Sequence, residues 1–161
     1  MSDIPPIHVE LRDYVGRTIT FKEVGEKLKK TSHKSQKRMM ELLVVAANNI
    51  RNDMIGGMET TPKTGRRYRK RKGVYHTASS PGNFPAVDTG NLKNSIIMDA
   101  RFDEVEVGSI ITYPAYPKFL EFGTARMKKR PWVKPVYDTQ KPKIEKAVNR
   151  LMTEILGEIQ I

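Results

Sequence analysis

The chain has 161 residues, no cysteine and a formal net charge of +11. That length suits one domain with a real hydrophobic core, and the lack of cysteine excludes a disulfide framework, a thiolate metal site and a thiol nucleophile. No run nears the roughly 18 apolar residues of a membrane span, and the start "MSDIPPIHVE" lacks the basic-then-apolar order of a signal peptide, so a soluble protein made in the cytoplasm is expected.

The location of the charge says more than its size. Residues 63–72, "KTGRRYRKRK", hold seven basic residues and no acid, namely Lys63, Arg66, Arg67, Arg69, Lys70, Arg71 and Lys72. Residues 126–134, "RMKKRPWVK", hold five more, including Arg126, Lys128, Lys129 and Arg130. Without these twelve, 17 basic residues face 18 acidic ones. The body is neutral and carries two cationic patches, the pattern of a surface that meets a phosphate backbone or an acidic protein face.

In chain order, "IHVELRD" (7–13) and "GRTITFKE" (16–23) alternate apolar and polar residues and read as strands or extended arms. "KEVGEKLKK" reads as a short helix weakened by Gly25. A long helix is predicted from Ser32, a candidate N-cap: Met39, Leu43, Ala46, Ala47, Ile50 and Met54 follow helical spacing, Met40 and Val44 widen the face, and Gly56-Gly57 signal a stop. Residues 58–87 then carry Pro, Gly, Ser and Thr throughout with no apolar period. So long a stretch is expected to be a flexible basic loop that orders against a partner.

Order is expected to resume at "VDTGNLKNSI", where Asp88 or Thr89 is placed to cap a short helix with Leu92 and Ile96 on one face. "IIMDARF" and "VEVGSIITY" read as two strands joined by a tight turn at Asp103-Glu104. A one-turn helix closed by Gly123 and an extended "RPWVKP" follow. A terminal helix over 136–157 carries the stripe Ile144, Val148, Leu151 and Ile155. The expected fold is α+β: a small antiparallel sheet packed with two long helices, plus the long basic loop. Residues 1–30 are assigned to an N-terminal extended arm or strands, and 31–161 to a single domain.

The inventory for catalysis is thin. His8, His33 and His76 stand at no spacing that places two on one helix face, and no HExxH, GxSxG, P-loop or GxGxxG motif occurs. His76 beside the Arg/Lys run fits a ribonuclease-like general base, but a loop histidine without chemistry is the simpler reading. No catalytic, cofactor-binding or metal-binding residue is assigned. Glu121 stands near the C-terminal end of its one-turn helix, the unfavourable end for a carboxylate. An ion pair with Arg126 or Arg130 is the expected remedy. In "FLEFGTARMKKRPW" (119–132), Phe119, Leu120 and Phe122 are assigned to core or interface, Gly123 to a sharp reversal, and the Arg/Lys run to an outward display. Trp132 is assigned equally to an interface anchor or to core.

"TASSPGNFPAVDTGNLKNSI", "VEVGS" and "YPAYPKFLEFGTARMKKRPWVKPV" together resemble the small neck or tail-completion proteins, the minor tail components, of long-tailed bacteriophages. The family pattern falls here on Pro81, Gly82 and Pro85; on Thr89, Gly90, Leu92 and Ser95; on Glu121, Gly123 and Thr124; and on Arg130 and Pro131, followed by Trp132. The likeness spans about residues 62–137, and residues 1–30 depart from the family layout. It implies a non-enzymatic virion protein without cofactors, assembled in the host cytoplasm and located at the neck or tail. It implies a homo-oligomeric ring, sixfold favoured and twelvefold the alternative, around the DNA passage. The implied partners are copies of itself, neighbouring neck, connector or tail-tube proteins, and packaged DNA, with no membrane. The competing classes are a small basic nucleic-acid-binding module, with Tyr68 and Tyr75 for stacking, and a toxin-like nuclease using His76.

Overall fold

A stripe of Met39, Leu43, Ala47, Ile50, Met54 and Met58 recurs every three or four residues and is buried along its whole length. It lies on α1 (His33–Thr60). The structure, a computed structural model, describes residues 8–9, 33–100, 104–111, 114 and 116–159. In chain order α1 is preceded by β1 (His8–Val9) and followed by β2 (Arg67–Arg71), β3 (Val74–Thr77), α2 (Asn91–Asn94), β4 (Ile96–Ala100), β5 (Glu104–Ser109), α3 (Tyr116–Phe122) and α4 (Lys134–Ile159). The fold class is α+β. Apart from β1, the arm assigned to 1–30 and the N-cap at Ser32 lie outside the described residues, as does most of the turn before Glu104.

One sheet has the order β1-β5-β4, and the other is the β2-β3 hairpin. Strands β4 and β5 are antiparallel, since a three-residue connection cannot make a parallel crossover. Strand β1 joins β5 in parallel, with His8 opposite Glu104 and Val9 opposite Val105.

The residues group into two compact units. Among the described residues, one unit holds 8–9, 33–50, 98–100, 104–107 and 137–159. Its core is formed by Met39, Leu43, Ala47 and Ile50 of α1, Val105 of β5, and Ile144, Val148, Leu151, Met152 and Ile155 of α4. The terminal stripe read from the sequence is thus buried at all four positions. Arg38 Nη2 donates to Glu154 Oε2 at 3.0 Å, setting the start of α1 beside the end of α4. Such a part-exposed pair adds little energy and mainly marks the orientation.

The other unit holds the described residues of 51–97 and 108–136, with Met54, Met58, Leu92, Ile96, Trp132, Val133 and Val136 buried. Here two sequence expectations are corrected. Gly56-Gly57 do not stop α1, which continues to Thr60. Gly57 serves instead as a packing floor: a Cβ there would lie 2.5 Å from Cε1 of Phe84. Termination falls to the hydroxyls of Thr60 and Thr61, which donate to the carbonyls of Gly56 (2.8 Å) and Gly57 (2.6 Å), and to Pro62, which disfavours helix at the residue before it.

Nor is 58–87 irregular throughout. It closes the last turn of α1 and then forms the β2-β3 hairpin, with Gly73 in the left-handed region (φ 73°) at its turn. The hairpin base is fixed by two backbone bonds, Gly65 N to Ala78 O at 2.7 Å and Ala78 N to Arg66 O at 3.1 Å. The strands gave no apolar signal because β2 is exposed at every position and only His76 of β3 is buried.

Since Ile155 is fully buried, Ile155→Ala is expected to lower unfolding free energy by about 2–5 kcal/mol. Denaturant titration followed by circular dichroism measures this. A loss under about 0.5 kcal/mol, typical of a surface site, would contradict the assignment of α4 to the core.

Candidate functional site

The second unit is organised by a buried carboxylate. Glu121, 5% exposed at the end of α3, accepts backbone N–H groups from Trp132 (2.7 Å) and Val133 (2.9 Å) on Oε2 and from Lys134 (3.0 Å) on Oε1. These three donors lead into the first turn of α4, where backbone N–H groups have no intrahelical partners. The carboxylate also meets the positive end of the α4 dipole. The ion pair expected with Arg126 or Arg130 is therefore replaced by a cap: the unfavourable end of the short helix α3 is outweighed by the favourable end of the long helix α4.

The same clamp disposes of Trp132. Its ring is fully buried and Nε1 donates to the carbonyl of Pro117 at 3.2 Å, so it belongs to the core and anchors no interface. Between Glu121 and Trp132 the chain reverses at Gly123 (φ 77°), where a Cβ would stand 2.7 Å from Met127 O and 2.9 Å from Lys129 N. Thr124 and Met127 form an isolated antiparallel bridge, and the Thr124 hydroxyl accepts N–H bonds from Arg126 (3.2 Å) and Met127 (3.0 Å).

Arg130 points inward, against the expectation of a wholly outward display. Its Nε donates to the carbonyl of Ser79 at 2.9 Å, and its backbone N–H to Leu120 O at 2.7 Å. The neighbouring Lys129 carbonyl accepts from Gly82 N at 2.9 Å. Segment 79–82 is thereby stitched to the turn after α3. Arg126, Lys128 and Lys129 remain exposed. The capping residue of α2 is Gly90 (φ 86°), with no side-chain cap, in place of Asp88 or Thr89. Leu92 is buried beneath that short helix, and the Ser95 hydroxyl bonds Leu92 O (2.6 Å) and Ser109 Oγ (2.7 Å). Thus Thr89, Gly90, Leu92, Glu121, Gly123, Thr124, Pro131 and Trp132, scattered in sequence, all lie in one unit.

Asp88 instead anchors the hairpin. Its Oδ2 takes Lys70 Nζ at 2.6 Å, and its Oδ1 stands 3.2 Å from His76 Nδ1. The His76 ring meets Tyr68 edge-on, with centroids 5.4 Å apart. A buried imidazole between an aspartate and a tyrosine is the strut of the hairpin's inner face. Sequence reading missed this role of Asp88, although a signal existed: it is the only acid between Glu59 and Asp99.

Tyr68, Lys70 and His76 also line a cleft of about 1030 Å³, with Lys93, Arg126 and Arg130 among its other walls. Tyr116 lines it too, and partial burial raises its phenol above the ordinary tyrosine value. Lys63, Arg66, Arg67, Arg69, Arg71 and Lys72 are exposed and meet no carboxylate among the described residues. On α3, Phe119 and Phe122 are 46% and 41% exposed, which removes them from the core. Comparisons with protein-family models, curated proteins and solved structures return no match.

Glu121→Ala leaves three N–H groups without their acceptor and is expected to cost about 2–4 kcal/mol of stability. Chemical denaturation checks it; a change below about 0.5 kcal/mol would mean that water replaces the carboxylate without penalty. Gly123→Ala, which forces a side chain into left-handed backbone against Met127 O, is expected to cost about 1–3 kcal/mol in the same assay.

Proposed function

We propose that this chain is a structural virion protein that forms a closed ring at the head–tail junction, or at the head-proximal tail end, of a long-tailed bacteriophage. One observation carries the reading. The residues behind the resemblance to neck and tail-completion proteins fold into one tightly bonded support, and that support holds Phe119 and Phe122 out to solvent on α3. Exposed aromatic side chains on a rigid base suit a contact with a second copy of the chain, because their burial is favourable and little ordering entropy is lost.

A passage for DNA or a tail tube requires an axial channel. Heterologous contacts, in which each subunit offers a different face to each neighbour, generate a channel when the rotation closes. Sixfold closure is the favoured arrangement and twelvefold the alternative. Neighbouring neck, connector or tail-tube proteins are then the further partners.

The exposed tyrosines of the basic hairpin support a second reading, a small nucleic-acid-binding module that acts as a monomer. Light scattering coupled to size exclusion separates the two, with negative-stain microscopy of the same fractions. The ring reading expects closed particles of defined mass in the wild type and monomers for the double variant Phe119→Asp, Phe122→Asp. A monomer at all accessible concentrations, or wild-type rings from the double variant, would overturn it. A phage lacking the gene should accumulate unjoined heads and tails.

A further inference from the structure

The hairpin has two chemically different faces. Strand alternation and the pairing of Arg67 with Thr77, Tyr68 with His76 and Arg69 with Tyr75 put Tyr68 and His76 on one side, and Lys70, at the bulge between Arg69 and Arg71, joins them through Asp88. Arg67, Arg69, Tyr75 and Thr77 occupy the other. The first side faces the cleft, and its charge is offset by Asp88. None of Arg67, Arg69 and Tyr75 lines that cleft, and no carboxylate among the described residues pairs with either arginine.

The outer face is also partly pre-ordered. The Arg67 guanidinium lies over the Tyr75 ring, 4.5 Å from its centroid, while Tyr75 remains 52% exposed. Arg69 Nε is held by the carbonyl of Arg71 at 3.3 Å. Stacking and a backbone bond restrict two long side chains that would otherwise lose rotamer entropy on binding. They leave the other guanidinium N–H donors in a planar fork suited to phosphate oxygens.

We infer that the outer face of the β2-β3 hairpin, built from Arg67, Arg69 and Tyr75, is a nucleic-acid contact that grips successive phosphates of a phosphodiester backbone. Nucleic acid is favoured over an acidic protein because this face sets a flat, half-exposed aromatic ring, Tyr75, beside the guanidinium groups, a pairing that suits a base and its phosphates. It offers fixed guanidinium groups spaced along a two-stranded ribbon, the size of element that a major groove admits. The contact belongs to the single chain and stands whether or not the subunit closes into rings. Backbone chemistry is shared by duplex and single strand, so the test must contain both.

The experiment uses the purified full chain and fluorescence anisotropy with a labelled oligonucleotide duplex and its separated strand, over a series of salt concentrations. Wild type should bind with a steep salt dependence. Arg67→Ala with Arg69→Ala should reduce the slope of log affinity against log salt by about 1–2 units and weaken binding at low salt at least about tenfold. Lys128→Ala with Lys129→Ala removes the same charge from the other exposed cationic run and should change the slope by less than half as much. Circular dichroism of both variants verifies folding. Tighter binding of the single strand, lost with Tyr75→Ala, assigns that form; tighter binding of the duplex assigns the other. Equal slope losses in the two double variants would reduce the effect to diffuse charge and overturn the inference. So would competition by polyglutamate as effective as that by unlabelled DNA, which would point to an acidic protein, and so would the absence of measurable binding at low salt.

Discussion

One carboxylate holding three backbone N–H groups is the constraint on which the second unit depends. Glu121 must be desolvated to do this, and a desolvated carboxylate is tolerable only when its lone pairs are filled. Trp132, Val133 and Lys134 fill them. The bond to Trp132 N also places the indole in the core, where Nε1 finds the Pro117 carbonyl. With residues 121 and 132 pinned together, the intervening chain has to reverse sharply. Gly123 is the residue able to do so beside the Met127 carbonyl.

Residues of the same charge then meet different fates. Arg130 lies inside the pinned loop and satisfies the Ser79 carbonyl, so its value is structural. Lys70 and His76 turn to Asp88 and fix the hairpin from its inner side. Arg67 and Arg69, one strand position away, turn to the outside without a carboxylate partner among the described residues. Fixed cations held in solvent repel one another only weakly, because water and salt screen them. Their repulsion is relieved when a polyanion or an acidic surface arrives, and this gives such a display a binding role without a cost to folding.

The exposed phenylalanines of α3 and the outer hairpin face share a physical logic. In each case the side chains project from elements whose own polar groups are already satisfied: α3 by the Glu121 clamp, the hairpin by Asp88 and the Gly65–Ala78 bonds. A surface supported in this way loses little entropy on association. This preorganisation supports the proposed ring subunit and, independently, the proposed nucleic-acid contact.

The two helical stripes were legible in the sequence. Met39 to Met54 and Ile144 to Ile155 announce themselves through apolar spacing, a local property that survives without knowledge of any neighbour. The position of β5 was legible in the same way, through the alternation of Val105 and Val107 with Glu104 and Glu106. The β2-β3 hairpin was not legible, because its strands bury almost nothing and therefore show no hydrophobic period. Helix termination at Thr60 was misplaced because Gly57 answers to Phe84, a residue far along the chain. The partners of the Glu121 and Asp88 carboxylates lie 11 to 18 positions away and the Ser79 carbonyl lies 51 from Arg130, while Arg126 and Arg130, oppositely charged and nearer to Glu121 in sequence, are passed over. Sequence spacing therefore determined which residues are apolar enough to be buried and which are charged. Only the tertiary structure decided which polar group each charge satisfies, since a buried carboxylate selects its donors by geometry and desolvation rather than by nearness along the chain.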